Sequence, residues 1–207
     1  MIARVLPLGA AHISAVTALL SETFAADVGM RAICRGRTEA DYRQCLDAWF
    51  LATLRLHLAT QQPAWIIIVG DIIAGAALLT HPHVRFAFHP WLGWLMRVGT
   101  HCGWGSVWRT AQHERQRRVH RPAQAHAVLE FIAVRGDYRG QGCARLLLDA
   151  VQQWSKTQTL SGIWLETTRL PNVPFFEHFG YMVTGRMLFE QGEALFLFHA
   201  HDETGER

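Results

Sequence analysis

The residues with the clearest chemical potential run Leu129-Glu130-Phe131-Ile132-Ala133-Val134, Arg135-Gly136-Asp137-Tyr138, then Arg139-Gly140-Gln141-Gly142-Cys143-Ala144. An apolar, strand-forming run gives way to a turn, a glycine-containing loop and the start of an amphipathic helix. Such a junction favours anions. Glycines let backbone N–H groups approach a ligand closely, and a helix N-terminus carries partial positive charge. Arg139 and Arg145 reinforce that sign. A pyrophosphate is the natural guest.

Other groups carry weaker signals. His81-Pro82-His83 and His199-Ala200-His201 have a spacing that a metal can use, but chance pairing among twelve histidines explains them better, and no metal is expected. The basic run Arg109 to Arg118 lacks flanking basic repeats, so it reads as a solvated helix face and not as a nucleic-acid contact. The segment Trp91 to Trp108 holds four of the eight tryptophans. Such residues usually pack or line a substrate pocket; a membrane-surface contact or a homodimer contact is the alternative. Cys143 reads as a small residue tolerated at the start of its helix. The cysteines at 34, 45, 102 and 143 form no CxxC pair, against a zinc ribbon or a thioredoxin-type motif.

The elements that must position this stretch follow from periodicity. Arg4–Leu8 reads as a strand, and Ile13, Val16, Leu20 and Phe24 recur at helical spacing. Residues 25–37 read as a loop or broken helix. Thr38 and Asp41 resemble a capping box opening a helix that runs to about Leu58, with Tyr42, Cys45, Trp49 and Leu56 on one face. Trp65–Val69 and Ile72–Leu79 form a hairpin around Gly70-Asp71. Residues 81–125 are partly helical, with a basic end from Arg109 to Arg121. Val128–Val134 and Ile163–Thr167 are strands. Leu147, Val151 and Trp154 mark a helix over Cys143–Lys156. Asn172 caps a short helix that ends at Gly180, and Met182–Glu190 pairs with Glu193–His199. The expected fold is α/β (α+β): a mixed, mostly antiparallel sheet of about seven strands with helices on both faces, in one domain over 1–207.

Composition agrees with a folded domain of that kind. The chain has 207 residues, half of them hydrophobic and 18% charged, against roughly 25% charged in an average chain. It can bury a full core without metal or disulfide staples. A net charge of +3 is too mild to imply nucleic acid. The most apolar stretch, Ala64 to Leu79, is interrupted by Gly70-Asp71, so no membrane span is expected. With no secretory leader visible, a reducing cytoplasm is the expected compartment.

The pattern Arg139-x-x-Gly142-x-Ala144 resembles the acetyl-CoA loop of the GNAT superfamily of N-acetyltransferases, written Q/R-x-x-G-x-G/A. It follows an apolar strand and opens a helix. Some thirty residues later, Leu165-Glu166-Thr167-Thr168 and Asn172-Val173-Pro174-Phe175-Phe176-Glu177-His178-Phe179-Gly180-Tyr181 resemble the family's LET…NVxxYExxGF signature. The resemblance is clearest over 124–190. His126-Ala127-Val128-Leu129 looks most like the puromycin-acetyltransferase-like branch.

The resemblance implies roles residue by residue. Ile132 and Val134, with Ala133 between them, would pair with pantetheine as if it were an added strand. Arg139, Gly140, Gln141, Gly142, Cys143 and Ala144 would cradle the pyrophosphate. Asn172 would bond near the thioester end, with Phe175 and Phe176 beside the cosubstrate. The reaction implied is direct attack of an amine on the acetyl thioester, which needs a base because an ammonium ion cannot attack. Glu130 is the candidate base, directly or through a water relay; the alternatives are that it only binds a cationic substrate or lies at the sheet surface. It shares strand parity with Ile132 and Val134 and so should face the same cleft. In the related serotonin N-acetyltransferases a catalytic histidine resembles it in position. The Val134 N–H would steady the oxyanion. His126 is a candidate for the substrate site, a structural histidine being the alternative.

One residue departs from the pattern. The family's usual general acid is a Tyr in the N-x-x-x-Y context, and here Phe176 stands in that place. Tyr181 reads as a packing residue. The expectation is an acetyl-CoA-dependent N-acetyltransferase of a small-molecule amine. A noncatalytic acyl-CoA-binding or interaction module, and an acetyltransferase of peptide or protein amines, are the alternatives.

Overall fold

The structure is a computed structural model, and it describes residues 3–83, 88–189 and 192–201. The N-terminal half runs β1 (Ala3–Pro7), α1 (Ile13–Phe24), α2 (Val28–Ile33), α3 (Glu39–Ala59), β2 (Ala64–Val69) and β3 (Ile72–Thr80). The Thr38–Asp41 capping box forms in both directions: each backbone N–H donates to the other's side chain at 3.1 Å. Below it, α3 buries Tyr42, Cys45, Leu46, Trp49 and Phe50 at helical spacing, while Leu56 is half-buried. The stretch 25–37 holds one short helix, α2, because the Asp27 side chain accepts the Met30 N–H at 2.9 Å and caps it.

Residues 81–125 contain two helices, α4 (Phe88–Cys102) and α5 (Trp104–Arg117), parted at Gly103. Of the four tryptophans here, Trp94 is buried and donates Nε1–H to Thr53 Oγ1 at 3.1 Å. Trp104 and Trp108 are 56% and 71% exposed, Trp104 with its ring laid over Gly99 of α4. The chain continues through β4 (Ala127–Val134), α6 (Cys143–Thr157), β5 (Gly162–Thr167), α7 (Val173–His178), β6 (Met182–Phe189) and β7 (Gly192–Ala200). The turn expected at Gln191 lies outside the described residues.

The seven strands form one sheet in the order β1-β2-β3-β4-β5-β7-β6, in which only β4 and β5 are parallel. Helices α1 and α3 cover one face, where Val16, Leu20, Leu46 and Phe50 meet Ile66, Ala76, Leu78 and Ala133. Helix α6 covers the other, where Leu147, Leu148 and Val151 meet Ile67, Ala77, Leu129 and Leu165.

One irregularity in this sheet changes the site. Leu78 stands opposite Phe131, but Leu79 stands opposite Leu129. Glu130 is therefore the extra residue of a β-bulge, and the alternation of faces slips by one there. Ala127, Leu129, Ile132 and Val134 all belong to the α6 side, whereas Phe131 and Ala133 pack against α1 and α3. The expectation that Glu130 shares a face with Ile132 and Val134 is thus overturned. Counting by twos fails across a bulge.

Candidate active site

Strands β4 and β5 pair through Ala127–Ile163, Val128–Trp164 and Leu129–Leu165, and then part. The Arg135 N–H donates to the Ala74 carbonyl at 2.9 Å, toward β3. Alternation along β4 then turns the N–H and C=O groups of Ile132 and Val134 away from β3, toward the opening beside β5. The Val134 carbonyl lies 3.5 Å from Arg139 Nε. The parted strands leave a wedge edged by backbone groups without a ladder partner, a seat for an extended ligand chain.

The glycine loop closes one end of that wedge. Gly140 and Gly142 have φ of 73° and 81°, the left-handed region in which an L side chain costs about 1–2 kcal/mol. A Cβ built on either would meet nothing within 4 Å, so the space above the loop is open. The Leu146 N–H donates to the Gly142 carbonyl at 3.1 Å and starts α6. The N–H groups of Cys143, Ala144 and Arg145, in the helix's first turn, have no intrahelical partner and point to the helix end. Gln141 donates its side-chain N–H to the Asp137 carbonyl at 2.8 Å and so braces the loop itself. The Cys143 side chain is buried beneath it. Arg139 and Arg145 are exposed.

At the other end, where the strands part, charged groups converge. Glu130 and Glu166 each stand one residue beyond the last β4–β5 pair, Leu129–Leu165. Helix α5 lies over them. Arg117 Nη2 donates to Glu130 Oε2 at 2.7 Å, and its Nη1 is 3.8 Å from Glu166 Oε2. His113 Nε2 is 3.0 Å from Glu166 Oε2. Arg117 Nε also donates to Glu114, which Arg118 and Arg121 hold as well, at 3.2 and 2.8 Å. Burial pushes the Glu130 carboxyl up, but the Arg117 guanidinium, a hydrogen bond from Thr80 and the charge of Arg121 together hold it below the usual carboxylate range. The three carboxylates likewise raise the pKa of Arg117 against its own desolvation. Sequence reasoning missed Glu166, His113 and Arg117 as site residues. Only Glu166 left a signal, as the middle residue of Leu165-Glu166-Thr167.

The remaining expected residues are spread out. His126 is buried against Trp164 and Phe198, with Nδ1 2.7 Å from the Gln124 carbonyl, and burial lowers its pKa. It packs as a buried histidine against the sheet. Asn172 precedes α7 on the surface, and its side chain makes no capping bond. Phe175 is 37% exposed. Phe176 is buried in the α6-side core, 5.7 Å from the Tyr181 ring. Tyr181 is buried too, and burial raises the pKa of its hydroxyl, with Gln152 acting against that rise.

The acetyltransferase (GNAT) family model matches residues 31–181. The chain belongs to the GNAT family. No curated protein matches it. Its fold resembles that of GNAT structures at low sequence identity. Histone acetyltransferase HPA2 and related acetyltransferase from Corynebacterium glutamicum is 16% identical, with a TM-score of 0.67 over 99% of this chain and 100% of that one. Ribosomal-protein-S18-alanine N-acetyltransferase from Escherichia coli is 13% identical, with a TM-score of 0.58 over 100% of this chain and 98% of that one. A chain of the NatC complex bound to Gag peptide and CoA is 16% identical, with a TM-score of 0.53 over 97% of this chain and 99% of that one. In this GNAT chain the wedge, the loop and the charged apex all lie within the matched residues.

A strand rises about 3.3 Å per residue, so the backbones of Glu130 and Val134 lie at most about 13 Å apart. Of the backbone N–H groups turned into the wedge, that of Ile132 stands nearer the apex.

Proposed function

We propose that the protein transfers an acetyl group from acetyl-CoA to the primary amine of a small molecule, in a ternary complex. The observation that carries this is the wedge that opens after Leu129–Leu165 between the glycine loop and the charged apex. Pyrophosphate would sit on the loop N–H groups from Arg139 to Ala144, with Arg139 and Arg145 beside it. Pantetheine would run along β4 and pair with the backbone of Ile132 and Val134. That direction brings the thioester toward the apex, where the Ile132 N–H is the oxyanion donor. Acetyl-CoA is a cosubstrate here, and no step calls for a metal.

Arg117 is shared among Glu114, Glu130 and Glu166, and Arg118 and Arg121 also hold Glu114, so charge is balanced within the cluster. Glu166, 3.8 Å from Arg117 and 3.0 Å from His113, is the carboxylate held least closely by a guanidinium, and it would receive the acceptor's ammonium group. Helix α5 covers the apex, which suits a compact amine better than a polypeptide. The three relatives are named for a histone, a ribosomal protein and a bound peptide, so the acceptor class is the point to test. The experiment measures CoA thiol release with acetyl-CoA and panels of alkyl diamines, arylalkylamines, amino sugars and peptide N-termini. Turnover on small amines supports the reading. Turnover confined to peptides replaces it, and acetyl-CoA binding without any turnover makes the protein an acyl-CoA-binding module.

A further inference from the structure

We infer that His113, oriented by Glu166, takes the proton from the acceptor amine. This rests on the acetyltransferase reading above and adds to it the identity of the base. A base needs a lone pair, a place at the reacting end and a group that steadies the charge it acquires. His113 has all three. Its Nε2 lies 3.0 Å from Glu166 Oε2. A carboxylate only accepts, so Nε2 carries the hydrogen and Nδ1 the lone pair. No described residue bonds Nδ1. The ring is partly open to solvent, at 25% side-chain exposure, while Glu166 behind it is at 11%. Glu166 stands one residue past the last β4–β5 pair, so the dyad sits at the apex of the wedge.

Glu130 is less suited to this task. Arg117 Nη2 holds its Oε2 at 2.7 Å, so proton uptake would have to break a buried ion pair. The charged groups around the dyad are Arg117 and Glu114 from α5, Arg121 just after it, and Glu130 from β4. Among them, Arg117 alone reaches Glu166. The His113 imidazole is therefore the base of the apex, and Glu130 holds Arg117 in place.

The protons balance as follows. The ammonium gives one proton to His113 Nδ1, and Glu166 stabilises the resulting imidazolium. The neutral amine attacks the thioester carbon and forms the C–N bond. The tetrahedral adduct collapses and breaks the C–S bond. The second nitrogen proton leaves with the sulfur as CoA thiol, and His113 returns its proton to solvent. No dedicated acid is needed at Phe176.

The test uses the full chain and the best amine from the panels above. His113→Gln, which keeps an amide donor toward Glu166, should lower kcat by roughly 10²–10⁴ at pH 7. The deficit should shrink as the pH approaches the amine's own pKa, and acetyl-CoA affinity by calorimetry should stay unchanged. Glu166→Gln should lower kcat by about tenfold, and Glu130→Gln by less than His113→Gln. A His113→Gln variant within threefold of wild type, folded by circular dichroism, overturns the inference. So does Glu130→Gln showing the larger loss with the same pH recovery. If the wild type acetylates no amine in any panel, the acetyltransferase reading itself fails and takes this one with it.

Discussion

Arg117 of α5 binds Glu130 of β4 at 2.7 Å, at the place where β4 leaves β5. The contact ties the segment between β3 and β4 to the bulged residue of the central sheet. Arg117 is only 12% exposed, and Glu130 is 19% exposed, so removing either partner strands a largely buried charge. Arg117→Met should destabilise the protein by about 3–5 kcal/mol, read from urea denaturation. Adding Glu130→Gln to that variant should restore part of the loss. A double variant no more stable than Arg117→Met would show that the cost comes from packing and not from the stranded carboxylate.

Gly142→Val tests the loop. The side chain has room, since nothing lies within 4 Å of the Cβ, but the backbone at φ 81° does not suit it. The cost to stability should stay near 1–2 kcal/mol. Acetyl-CoA affinity should fall by tenfold or more, because the added methyls fill the space above the loop. Calorimetry on the folded variant checks this, and unchanged affinity would move the cosubstrate elsewhere.

Phe176→Tyr should not create a faster enzyme. The ring is buried in the α6-side core against Tyr181. A hydroxyl buried there without a partner costs about 1–3 kcal/mol. The expected outcome is a lower melting temperature with single-turnover acetyl transfer unchanged. A rate gain at neutral pH would mean that the ring edge reaches the departing sulfur.

Stability should fall with pH on the acid side of neutrality. Burial lowers the pKa of both His57 and His126 from the usual 6.5. Below 6.5 the unfolded chain takes up protons that the folded chain refuses, so stability is full above that value. It declines as pH falls from there toward the folded pKa values. His126→Gln should flatten part of this slope between pH 7 and 5.5, followed by the melting temperature. An unaltered slope would mean that His126 is protonated without cost in the fold.

Much of the architecture was legible because its signals are local. The Thr38–Asp41 box, the Gly70-Asp71 hairpin and the Leu147–Val151–Trp154 stripe each act within one or two turns of chain, and each appears where expected. The glycine loop is equally local, since two left-handed residues next to a helix start require little from the rest of the molecule. The bulge at Glu130 is of another kind. It is a mismatch of register between β3 and β4, a property of the pair, and neither strand's residues carry it alone. The sequence placed Glu130 on the cleft face by counting, and the pairing moved it under Arg117. The meeting of His113 with Glu166 spans 53 positions and depends on how α5 settles over parted strands. Histidine, arginine and glutamate on a polar helix read as solvated side chains until packing brings a strand beneath them. Local chemistry determined the elements and the anion loop; long-range packing decided which charges face the wedge.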